Sequence, residues 1–344
     1  MTTFSEYAVM YRQREQLPAK TRLFVVGAAV ILLHITTVVL LVIGTAAAQP
    51  LALGLVVTAY LTGVKHSYDW DHVAAIDNST RRFVAQHKDP VSVGFAFSLG
   101  HSSVVVLAGV LVVSGAAMAG HLMDAGTTEN QALGLIGGAV SGLFLLVMGL
   151  FNGSAFLKAA QAYRKAAAGG EVHASDLEAK GFMARLLAKP LAAVERPRNI
   201  YVIGFLFGLG FDTATTIGLL VMTTAATLAG VSPIALMTIP LAFTAAMTLC
   251  DSVNGVAMMR LYKSAIENPQ RRLGFNAVIT GLSALSALFV SVITLSGLAG
   301  AVGLDQPPFA WLAGIDLGNA GLALVASFAA IWIGAALLGR GQTK

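Results

Sequence analysis

A chain of 344 residues that is 56% hydrophobic and 11% charged, with a mean hydropathy of +0.75, has too much apolar surface to hide in a soluble fold. Its formal net charge of +5 would suit a nucleic-acid partner, but the basic residues follow a membrane topology instead, which excludes that class. A single cysteine, Cys250, excludes an intrachain disulfide and a cysteine-built zinc cage.

Hydropathy marks eight segments, at residues 23–46, 51–76, 91–117, 132–151, 200–228, 234–259, 275–298 and 309–338. Each reaches the roughly 20 residues needed to cross a ~30 Å hydrocarbon core. Arg22 ahead of the first run and Ala46-Ala47-Ala48 behind it resemble a secretion signal. The run is longer than a cleavable signal core, so an uncleaved first helix is expected. No alternation of period two suggests a barrel. The expected fold is all-α: one polytopic membrane transport domain over residues 1–344 with eight transmembrane helices. An Ala-rich central loop, 152–199, is expected to be helical in parts and to link two four-helix halves.

Lysine and arginine orient these segments. Arg12, Arg14, Lys20 and Arg22 precede segment one, and Arg81, Arg82 and Lys88 follow segment two. The central loop, mixed in charge, carries eight more from Lys158 to Arg198, Arg260, Lys263, Arg271 and Arg272 follow segment six, and Arg340 and Lys344 lie in the last tail. Of the 22 basic residues, only Lys65 lies outside this set. All the others share one face, which the positive-inside rule makes cytoplasmic, with both termini on that side of the inner membrane.

Against this apolar background stand side chains that are costly to bury, at about 2.5–3.5 kcal/mol each on an insertion scale. Segment one has His34. Segment two has His66, Asp69, Asp71 and His72, then Asp77 and Asn78. Segment three has His101 with Ser102, segment five Asp212 with Thr213, and segment six Asp251 with Asn254. Imidazole and carboxylate without a thiolate cluster are ligands for Ni2+, Co2+ or Zn2+ rather than Cu(I), and softer than Mg2+ or Ca2+ prefers.

Blander readings compete at each position. The segment-two cluster fits a polar helix end in the headgroup zone, and His101 fits an interhelical hydrogen bond. Asp212 and Asp251 could pair with lysine or backbone groups, His34 could be a packing residue, and Lys65 could snorkel or pair with empty carboxylates.

In a regular helix His66, Asp69, His72 and Asp77 span an arc of roughly 140°, with Asp71 about 140° from His66. The two histidines would be about 9 Å apart along the axis, too far to chelate one ion. Either the helix unwinds near residues 66–72 or Asp71 serves a different contact. A local echo also stands out: Gly94-Phe95-Ala96-Phe97-Ser98-Leu99-Gly100 parallels Gly204-Phe205-Leu206-Phe207-Gly208-Leu209-Gly210.

The run His66-Ser67-Tyr68-Asp69-Trp70-Asp71-His72, continued by Val73-Ala74-Ala75-Ile76-Asp77-Asn78, resembles the second-helix hallmark of the nickel/cobalt transporter family, NiCoT. Leu99-Gly100-His101-Ser102-Ser103, Gly210-Phe211-Asp212-Thr213-Ala214-Thr215 and Met247-Thr248-Leu249-Cys250-Asp251-Ser252 resemble three later motifs of the family in order. The resemblance implies high-affinity uptake by a secondary permease, with His66, Asp71 and His72 as first ligands. Asp69, Asp77, His101, Asp212 and Asp251 would complete the metal set, supported by Asn78, Ser102, Thr213, Asn254 and His34. Thr216 and Asn254 depart from the pattern where acids are usual, which bears on affinity and preferred ion.

The expected partners are thus a divalent transition-metal ion, as substrate rather than cofactor, and the bilayer. With no Walker-type phosphate loop in the chain, no ATPase subunit is required. Two rivals remain: an efflux carrier, against which the single histidine of the central loop, His173, counts, and an intramembrane metallohydrolase, for which no H-E-x-x-H motif exists.

Overall fold

The computed structural model describes residues 17–44, 50–114, 127–170, 196–209, 219, 223, 231–263, 269–304, 306–315 and 320–340. Among them lie ten α-helices and no strand: α1 Ala19–Gly44, α2 Pro50–Ser67, α3 Trp70–Ala85, α4 Val93–Val113, α5 Thr128–Ala167, α6 Pro197–Gly208, α7 Pro233–Lys263, α8 Pro269–Ala301, α9 Pro307–Ala313 and α10 Ala320–Arg340. Five of them, α1, α4, α5, α7 and α8, carry stretches long and apolar enough to cross a bilayer. Helix is the only regular structure among the described residues, and the chain is a polytopic membrane protein. Lipid is the solvent for much of its surface. On α1 only Val26, Val30 and Thr37 are buried, while Phe24, Ile31, Leu32, Ile35 and Val42 face outward.

Three of the expected segments take a different form. The second segment is two helices, α2 and α3, with Tyr68 and Asp69 between them. The fourth continues as α5 for 40 residues, about 60 Å, into the stretch expected to be loop. Thr127 caps the start of α5 by accepting from the Asn130 N–H, and Gly169, at φ 79, turns the chain at its end. In the last segment, α9 and α10 are separate helices.

The break after α2 has a local cause. Tyr68 and Asp69 donate backbone bonds of 3.0 Å to Lys65 and His66, tightening the last turn to i→i−3 spacing. Asp69 is then extended (φ −63°, ψ 140°), and its carbonyl accepts from Val73 to start α3. Aspartate suits this N-cap position, yet its side chain makes no capping bond and turns to His66 instead. The start of α10 covers the break so closely that a Cβ on Gly321 would overlap the Tyr68 carbonyl oxygen.

The long helix α7 is central, packed against α1, α2, α3 and α4, while α5 pairs with α8 and α6 with α4. The glycine echo explains the last pair, because the two echoing stretches pack on each other. A Cβ on Gly204 would strike the Phe97 carbonyl, and one on Gly100 would strike that of Tyr201. Ser103 Oγ and Tyr201 OH, 2.9 Å apart, join the same two helices. Two of the four apolar clusters among the described residues flank the middle of the bundle. One gathers Ala74, Ile76, Phe97, Ile200, Phe207 and Leu145, and the other Val56, Ala59, Leu236, Ile239, Phe243 and Met247.

Candidate metal centre

The helix break brings the segment-two histidines together. His66 ends α2 and His72 opens α3, and their ring centroids are 4.6 Å apart rather than separated by about 9 Å of helix axis. His101, from the middle of α4, closes a triangle with them at centroid distances of 5.0 Å to His66 and 4.6 Å to His72. One ligand nitrogen from each can lie within 4.8 Å of the others, and all three side chains are buried. The Nε2 atoms of His66 and His101 are 3.1 Å apart. Two nitrogens each roughly 2.1 Å from one ion at 90–109° would stand about 3.0–3.4 Å apart, so this pair already has the spacing of a chelate edge.

Carboxylates set the other side of two rings. Asp69 Oδ2 lies 2.6 Å from His66 Nδ1, and Asp251 Oδ2 lies 3.4 Å from His72 Nδ1. At His72 the carboxylate facing Nδ1 favours the tautomer protonated there and leaves Nε2 with its lone pair for a cation, whereas Asp69 stands close to His66 Nδ1 without hydrogen-bond geometry. His72 Nε2 is buried with no hydrogen-bond partner among the described residues, as is Asp251 Oδ1. Orphaned atoms of this kind are costly unless a ligand satisfies them. Backbone proximity positions Asp251: a Cβ on Gly94 would overlap its carbonyl oxygen, so only glycine on α4 lets α7 approach this closely.

The remaining candidates are placed differently. Asp71 stays in the first turn of α3, partly exposed, with Oδ1 accepting from the His72 N–H at 2.9 Å. Asp77 follows His72 by five residues, about 140° around α3, and faces the opposite side. There it accepts from Tyr262 OH, which also meets Ser283 Oγ at 2.9 Å. Asn78 donates to the Ala74 carbonyl at 2.7 Å and accepts from Asn152, whose Oδ1 accepts from Arg81 Nε at 3.0 Å. These bonds fasten the back of α3 to α5, α7 and α8. Ser102 and Asn254 are buried beside His101 and one turn beyond Asp251, and neither Ser102 Oγ nor Asn254 Nδ2 has a partner among the described residues. Asp212, Thr213 and Thr216 lie outside the described residues. Lys65 is exposed on α2 and makes no ion pair with the site carboxylates among the described residues.

His34 stands apart from the trio. Its Nδ1 lies 2.8 Å from the Val30 carbonyl and its Nε2 3.2 Å from Tyr60 OH, so both nitrogens are occupied outside the trio. Accordingly His34→Ala should leave the concentration for half-maximal 63Ni2+ uptake within about twofold of wild type, the range of a lost surface-type contact. Sequence reasoning passed over Asn152, Tyr262, Phe97 and Phe243. A polar Asn152 next to an apolar run was a usable signal, but nothing in the pattern separated the two phenylalanines from ordinary core.

Comparison with known proteins decides what kind of protein holds this centre. The NicO family, described as high-affinity nickel-transport protein, matches residues 52–338. The chain belongs to the NicO family. It is 37% identical over 285 residues to the nickel transporter NicT of Mycobacterium tuberculosis, covering 81% of this chain and 77% of that one. It is 38% identical over 295 residues to the hydrogenase nickel incorporation protein HupN of Bradyrhizobium diazoefficiens, covering 83% and 76%. Similarity to the cobalt transport protein NhlF of Rhodococcus rhodochrous runs over 335 residues at 34% identity, with 92% of each chain covered. No solved structure matches. The NicO match spans the helices that carry all three histidines and Asp251, so the centre lies within the family's shared region.

Proposed function

We propose that this NicO protein takes up Ni2+ and Co2+ with high affinity across the cytoplasmic membrane, as a secondary permease with eight spans and both termini inside. The observation that carries the reading is a set of three buried imidazoles from three helices, converging within 4.8 Å. Nickel and cobalt transporters among the relatives support the choice of ion. As a family of transporters, NicO sets aside the metallohydrolase, and no observation favours efflux.

His66, His72 and His101 coordinate the ion through nitrogen, and Asp69 and Asp251 orient two of the rings. Those two carboxylates also balance a 2+ charge, so the loaded centre is close to neutral and its burial cost falls. Asp71, at the open side of α3, draws the ion toward the trio and holds the first turn, with Asp212 and Asn254 completing its surroundings. Asp77 and Asn78 act on the far side, fixing the orientation of α3. Inward movement of a divalent ion gains about 4.6 kcal/mol per 100 mV of membrane potential, enough for roughly a thousandfold gradient. No hydrolysis step is required.

The test is 63Ni2+ uptake by cells expressing the protein, at nanomolar nickel with millimolar Mg2+ present. Saturable uptake that unlabelled Co2+ competes away and that falls when the membrane potential is collapsed is the expected result. Expression that lowers cell-associated nickel would reverse the direction of transport.

A further inference from the structure

Two phenylalanines bracket the histidine trio along the bundle axis. The pairing of α4 with α7 fixes the order, since the two helices run antiparallel. A Cβ on Gly94 would meet Asp251 at one end, and one on Gly109 would meet the Pro240 ring at the other. His101 lies between these contacts. Phe97 is one turn from His101 on the Gly94 side, and its ring stands edge-on to His72, with centroids 5.0 Å apart at 89°. Phe243 is on the Pro240 side, about 12 Å along α7 from Asp251. Its carbonyl presses on Gly63, one turn before His66, and its ring centroid is 5.4 Å from that of His66. Both rings are fully buried.

Each ring also heads one of the two apolar clusters. Behind Phe97 follow Phe207, at 5.2 Å, and then Phe144, at 5.9 Å from Phe207. Behind Phe243 lie Ala59 and Ile239. Along the axis the trio therefore meets one buried aromatic ring on each side, with Asp251 standing beside Phe97 at the Gly94 level. Hydrophobic constrictions close a path by dewetting, and an ion that gives up water reluctantly, as Mg2+ does, crosses them least readily.

We infer that Phe97 and Phe243 are two apolar seals on opposite sides of the trio, and that together they determine the exclusion of strongly hydrated Mg2+. The inference rests on the trio being the ion's site. Imidazoles select by ligand chemistry once an ion has arrived. The rings select earlier, by requiring that hydration water be shed before the nitrogens are reached.

The experiment places the purified full-length protein in liposomes that hold a Mg2+ indicator and are exposed to external Mg2+. Wild type, Phe97→Ala and Phe243→Ala vesicles should stay tight, because one ring still closes the path. Vesicles with both substitutions should admit Mg2+ at least about tenfold faster than wild type while the protein stays monodisperse. If the paired variant is monodisperse and the vesicles stay tight, the inference is overturned. A leak through either single variant would assign the barrier to one ring and overturn the two-seal arrangement. Where the alanine pair cannot be purified, Phe97→Val with Phe243→Val is read by the same criterion. Undiminished 63Ni2+ uptake by His66→Ala would remove the trio as the site, an outcome separate from a tight phenylalanine pair.

Discussion

His72→Ala and His101→Ala should each lower 63Ni2+ uptake at nanomolar nickel by at least about a hundredfold, with the protein still present in the membrane. Each loss removes one of three nitrogens, and no fourth imidazole joins the trio among the described residues. The two rings differ in how their roles arise. His72 is held by Asp251 at 3.4 Å, whereas His101 contacts His66 directly, Nε2 to Nε2 at 3.1 Å. Those distances give His101 the same standing as the segment-two histidines, so its substitution should cost as much as that of His66. A His101→Ala variant with near-normal uptake would reduce it to an interhelical hydrogen bond and leave the ion with two imidazoles. Because substitution also leaves a buried cavity, abundance in the membrane must be measured beside uptake.

The second large effect is expected at Asp251. Asp251→Asn keeps the size of the side chain but removes its charge, and an amide can face His72 Nδ1 with either its oxygen or its nitrogen. The tautomer of His72 is then no longer fixed, and half of the charge balance for a 2+ ion is lost. Outer partners of metal-binding histidines are typically worth 10–100-fold in affinity, so the half-saturating nickel concentration should rise by roughly that factor. Asp251→Ala should do more, since it leaves a buried imidazole N–H without an acceptor. Equal half-saturation for wild type and Asp251→Asn would show that the carboxylate only packs. Titration of uptake against nickel concentration measures both.

Much of this centre could be read from the chain because costly residues in hydrocarbon have few explanations. The helix break was legible from arithmetic: two histidines six residues apart cannot share an ion on a straight helix, and the chain does part at Tyr68 and Asp69. The same arithmetic misplaced Asp77. Its position in an arc with His66 assumed one continuous helix, and the break resets the phase, so Asp77 turns to Tyr262 instead. The pairing of His72 with Asp251 joins residues 179 apart in sequence, and local pattern carries no information about such a contact. The extent of α5 was obscured for a simpler reason, since hydropathy stops reporting where a helix leaves the membrane. The glycine echo was visible as text, but its cause, two helices pressed together at Gly100 and Gly204, requires the packing.

Nickel K-edge X-ray absorption of the purified, Ni2+-loaded protein tests the central claim most directly, because it reports what touches the ion. Coordination by imidazole from His66, His72 and His101 predicts outer-shell scattering from about three imidazole rings, with nitrogen at roughly 2.1 Å. That signal should fall by about one ring in His101→Ala. A spectrum of oxygen ligands alone, unchanged when the histidines are substituted, would contradict the account.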